Sequence, residues 1–141
     1  MLSRMLSPLL LLLLLVLFSA NVLAQEFPIE VFEYIDNTRV VAFVNEADID
    51  KTLHWTPFEG PLPLTLTDAL KAIQSYVATD PDLTNAVLSG VELKQVPHHE
   101  GYWHYLVRMK TFADGRPTSH YFIVLMDGKI VSGIKEPETF K

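Results

Sequence analysis

Apolar residues along this chain recur in three different rhythms, and each rhythm predicts a different element. Leu9 to Phe18 is an unbroken apolar run. Leu66, Leu70, Ile73 and Val77 recur at helical spacing, with Ala69 and Tyr76 beside them and Lys71, Gln74 and Ser75 on the other side. Thr65-Leu66-Thr67-Asp68 ahead of them has the capping-box form, and Thr79-Asp80-Pro81 stops the helix, because a residue before proline avoids helical backbone. From Ala86 onward the rhythm is alternation. Ala86–Val96, Tyr102–Phe112, Ser119–Met126 and Lys129–Lys135 read as four strands of an antiparallel meander. Asp114-Gly115 and Asp127-Gly128 are the tight turns between the last three.

Ahead of the helix, Arg39–Val44 is rich in β-branched residues and reads as a strand. Residues 25–36 offer a second strand, and Asp36-Asn37-Thr38 a turn that makes the two a hairpin. Residues 45–64 contain Pro57, Gly60, Pro61 and Pro63 and read as irregular. Leu53, Trp55 and Phe58 within them are large enough to tie such a loop across a domain. The expected fold is α+β: one helix packed on a meander of about four strands, with an N-terminal β segment or hairpin.

The apolar run carries a separate message. Arg4 gives it a positive start, and Val22-Leu23-Ala24 gives it a small-residue exit before Gln25. That is the form of a secretory signal peptide. Ser19 and Asn21 interrupt the run, so it falls short of the about 20 apolar residues that span a bilayer. The expected organisation is a signal peptide at 1–24 and one α+β domain at 25–141. A periplasmic or secreted location follows, with no stable membrane insertion after cleavage. A retained anchor is the rival reading.

Without Arg4 the chain keeps ten basic and seventeen acidic side chains, a formal charge of −7. With no Lys/Arg cluster, nucleic acid is not an expected partner. The chain has no cysteine. Thiol chemistry and thiolate metal sites are therefore excluded, and packing alone must hold the fold.

The two hairpin turns fix the strand faces. If each is a two-residue turn, Trp103, Tyr105, Val107 and Met109 share a face with Phe122, Val124, Met126 and Val131, which the helix covers. The opposite face then carries Leu106, Tyr121, Ile123, Leu125, Ile130 and Ile134. One helix cannot cover both faces. Either residues 27–58 fold over the second face, or it is a surface for an envelope protein or for a second copy of the chain.

Reactive side chains are densest at His98, His99, Glu100 and His104. Imidazoles and a carboxylate suit Zn²⁺ or Cu²⁺, although the spacing matches no metal motif. In the register above, His120 falls on the opposite face from His104. Trp55 and Trp103 have the chemistry to stack on a sugar or peptide, but they read first as core. No serine lies in a nucleophile elbow, and the aspartate pairs lie in turn-like contexts. No catalytic residues and no cofactor are expected, and the chain reads as a non-enzyme.

Three segments carry a family resemblance: Pro63–Leu70 (PLTLTDAL), Tyr102–Val107 (YWHYLV) and Tyr121–Val131 (YFIVLMDGKIV). Over about residues 63–136 the chain resembles the PepSY-like domains of bacterial exported proteins. Its closing turn departs from theirs, which is longer and contains Thr-Gly. The resemblance implies an extracytoplasmic binding or inhibitory module, a regulator of peptidases in some discussions, with no catalytic residues.

Overall fold

The structure is a computed structural model, and residues 27–136 are described. The leader assigned to residues 1–24 lies outside them. Two sheets and one main helix form three layers. The helix covers one face of a four-stranded sheet, and a three-stranded sheet covers the other.

Strands β1 (Ile29–Ile35) and β2 (Thr38–Val44) form the expected hairpin. Asp36 and Asn37 both adopt positive φ, 50° and 64°. That geometry is a two-residue turn whose twist matches that of the strands. A short helix, α1 (Glu46–Asp50), follows inside the segment read as irregular. Helix α2 spans Leu66–Val77. Thr65 caps it: its hydroxyl accepts from the Asp68 amide at 3.1 Å and donates to the Asp68 carboxylate at 2.9 Å. A 3₁₀ turn at Pro81–Leu83 leads into β3 (Val87–Gln95), β4 (Trp103–Ala113), β5 (Arg116–Leu125) and β6 (Ile130–Ser132). These four pair in sequence order, all antiparallel.

The return strand differs from the sequence expectation. Residues 129–135 do not run as one strand in one sheet. After β6 the chain passes through Gly133, and β7 (Ile134–Lys135) pairs with β2. Gly133 donates to the Tyr121 carbonyl at 2.7 Å. A Cβ there would stand 2.9 Å from Val40 Cγ1 and 3.2 Å from the Tyr121 carbonyl oxygen. Only a bare backbone lets the chain cross between sheets at that point.

The Asp114-Gly115 turn has two residues, both at positive φ, and the β4–β5 register is as expected, with Val107 opposite Phe122. The next turn is longer. Leu125 donates to nothing within Asp127-Gly128 but to the Lys129 carbonyl at 2.9 Å, leaving a three-residue loop. A one-residue slip exchanges the faces. Val131 therefore belongs with the hairpin side, and Ile130 with the helix side.

The helix-side core joins Ala69 and Ile73 to Tyr105, Val107, Met109, Phe122, Val124 and Met126. The other core joins Val31, Ala42, Val44 and Ile49 to Val96, Leu106, Ile123 and Leu125. Lys129 pins α1 to this second layer through Asp48 at 2.5 Å, and that contact holds the Asp48 carboxyl below its usual range.

Candidate functional site

The expected partner surface needs correction first. Leu106, Tyr121, Ile123 and Leu125 are buried, and the hairpin and α1 lie over that face. Ile130 is half-buried on the helix side, as the slipped register requires. Of the six residues only Ile134 is well exposed, and it has left the meander to pair with Val41. The cover is residues 29–49, so this face is core rather than a docking surface.

The histidines do not converge. His98 is exposed, with φ of 61°. The His99 ring sits 2.9 Å from the Pro97 carbonyl and 3.6 Å from Glu46. His104 is 1% exposed and points into the hairpin-side core, where neither ring nitrogen has a hydrogen-bond partner among the described residues. Burial, reinforced by the Lys94 charge, lowers its pKa to about 4. Among the described residues no three or more His, Asp or Glu side chains stand close enough to hold a metal ion.

A polar cleft of about 430 Å³ opens between the 3₁₀ turn and β5, lined in part by Asp80, Asp82, His120 and Lys135. Partial burial, then Lys135, lowers the His120 pKa. His120 Nε2 lies 2.8 Å from the Thr111 hydroxyl. No third group holds its other nitrogen among the described residues. A hydroxyl–imidazole pair without that orienting partner lacks the arrangement that activates a nucleophile.

The surface that sequence reasoning missed runs along β3. This strand pairs only with β4, so its outer row of backbone N–H and C=O groups faces away from the sheet. Val87 and Leu88 are each about half exposed. A groove of about 420 Å³ lies between α2 and this edge, walled by Leu70, Ile73, Val77, Ala86, Leu88 and Met109. Part of its sequence signal is Leu70, an apolar position of the α2 stripe that lines the groove. A bulge at Leu88–Gly90 bends the first half of the strand, while Val91–Gln95 pairs regularly with Val107–Trp103.

The far end of β3 meets the loop that carries Trp55. Two hydrogen bonds tie that loop down, and a third braces it internally from Trp55 to Gly60. The Trp55 amide donates to the Gly101 carbonyl at 2.9 Å, the Trp55 indole to the Gly60 carbonyl at 3.0 Å, and the Trp103 indole to the Trp55 carbonyl at 3.0 Å. His54 packs over Gly101 and against Tyr102, so a side chain at 101 would run into its ring. Trp55 thus fastens the loop to the β3–β4 end, as its size suggests, whereas Leu53 and Phe58, expected to do the same, are exposed, Phe58 fully so.

A second exposed apolar area lies on the outside of the hairpin, at Phe32, Tyr34, Phe43 and Ile134. The Arg39 guanidinium stands 4.7 Å from the Phe32 ring centre and pairs with Glu30 and Glu136. These charges lie over Phe32, whereas Tyr34, Phe43 and Ile134 stay exposed, and Val41 beneath them is buried. No described helix is long and apolar enough to cross a membrane. No family model, curated protein or solved structure matches the chain.

Proposed function

We propose that this chain is an exported, non-enzymatic binding module of the bacterial cell envelope that engages a protein partner along the edge of β3. The observation that carries the reading is the pairing of an open strand edge with an apolar groove beside it. An extended partner segment that adds to Val91–Gln95 gains main-chain hydrogen bonds from the edge. Its neighbouring side chains enter the groove at Leu88 and Met109. The hairpin exterior also has an open edge, at β1, but there Arg39, paired with Glu30 and Glu136, stands over Phe32.

Two features of the sequence support export and a binding role. The first is the leader form of residues 1–24. The second is the resemblance of residues 63–136 to PepSY-like domains, which implies extracytoplasmic binding or inhibition. A photo-reactive residue placed at position 88, with the same residue at position 43 as control, tests the surface in envelope extract. Cross-linking to one protein from 88 and not from 43 is the expected outcome. Equal cross-linking from both positions, or from 43 alone, contradicts it.

A further inference from the structure

The two indoles at the end of β3 form a corner. Trp55 and Trp103 stand with ring centres 5.3 Å apart and planes at 79°. Between them and the β3–β4 turn opens a cleft of about 250 Å³, which Gln95 and Glu100 also line. No Lys, Arg or His lines it. Glu100 is exposed and has no ion pair among the described residues.

Two nearly perpendicular aromatic walls with one carboxylate are the chemistry of a cation site. The ring quadrupole attracts a positive charge, and the carboxylate adds a direct partner. A flat sugar ring favours a single broad platform, which a corner does not provide. Both indole N–H groups are already engaged by carbonyls, so the rings are held in place before any ligand arrives.

We propose that this cleft receives a cationic side chain, Lys or Arg, from the partner protein. The inference rests on the binding reading above and names the chemistry its partner must carry. Gln95 is both the last residue of the open edge and part of the cleft lining. A strand lying on Val91–Gln95 therefore delivers a side chain to the corner. The apolar groove at Leu88 lies about 20 Å away along the strand, at the usual rise of roughly 3.3 Å per residue. The bulge takes up one residue of β3, so a regular partner segment carries an apolar residue and a basic residue some six positions apart, on one face of the strand.

The chain has two tryptophans, and both are in this cleft. Their two indole N–H signals in a ¹H–¹⁵N spectrum report on the site alone. The full chain is titrated with N-acetyl-arginine amide, N-acetyl-lysine amide and the neutral isostere N-acetyl-citrulline amide. Saturable shifts of both indole signals with the two cations, and none with citrulline, are expected. Glu100→Gln should weaken the cation response about fivefold or more, the scale of one charge-assisted aromatic contact. Gln95→Lys, which places an ammonium in the cleft, should abolish it. Equal shifts with arginine and citrulline, no saturable shift, an unchanged Glu100→Gln response, or saturation by methyl glucoside instead would each overturn the proposal. Backbone signals of both variants establish that they fold. Failure here leaves cross-linking from position 88 intact, whereas loss of that cross-link with cation binding preserved counts against the partner reading alone.

Discussion

His104 shows how one side chain contributes to the response of the fold to acid. Its imidazole is buried without partners among the described residues, and its pKa is lowered from 6.5 to about 4. In the unfolded chain it takes up a proton as pH falls below about 6.5, while in the native core it stays neutral to about 4. The unfolded state therefore binds more protons in that window, and stability falls as pH drops from 6.5 to 4. The loss amounts to about 3 kcal/mol once pH is below both values. His104→Leu should remove that part of the slope in urea titrations at pH 7 and pH 5. It should also raise stability at pH 7 by about 1–2 kcal/mol, because two buried unpaired nitrogens disappear. An unchanged pH slope in the variant contradicts the assignment. Gly133 is the other decisive residue. Gly133→Ala pushes a Cβ against Val40 and the Tyr121 backbone, and should cost about 1–3 kcal/mol by the same titration.

At the scale of elements, the local signals in the sequence were strong and the longer-range ones were not. The α2 cap, its apolar stripe and the Asp114-Gly115 turn each depend on residues within a few positions of one another, and all are as expected. The Asp127-Gly128 turn was not decidable that way. An Asp-Gly pair fits a two-residue or a three-residue loop, and the choice rests on where Gly133 lets the chain leave for the other sheet. That choice moved Ile130 and Val131 to opposite faces. The candidate site suffered more, because a partner surface is defined by what fails to cover it, and the cover of Leu106, Ile123 and Leu125 comes from residues 29–49. Substitutions at those positions should accordingly unfold the chain rather than spare it. Leu125→Ala is expected to cost about 2–5 kcal/mol by urea titration, the range for a leucine deleted from a packed core. A cost below 1 kcal/mol contradicts the hairpin's role as cover. Thr65→Ala, which removes the α2 cap, should cost about 1 kcal/mol.

At the scale of the molecule, three layers leave two long strand edges open among the described residues, β1 and β3. Both faces of the four-stranded sheet are spent on packing, β6 is three residues long, and on the hairpin exterior Arg39 with its two carboxylates stands over Phe32. Of the two open edges, β3 carries an apolar groove at one end and an indole corner at the other. Leu88 is half exposed and lines the groove, so its replacement separates binding from folding. The most direct measurement is affinity capture from envelope extract with the wild-type chain and Leu88→Asp side by side, with thermal unfolding of both as control. The account predicts a protein retained by wild type and lost by the variant, with unfolding temperatures within a few degrees. Equal retention by both would contradict it.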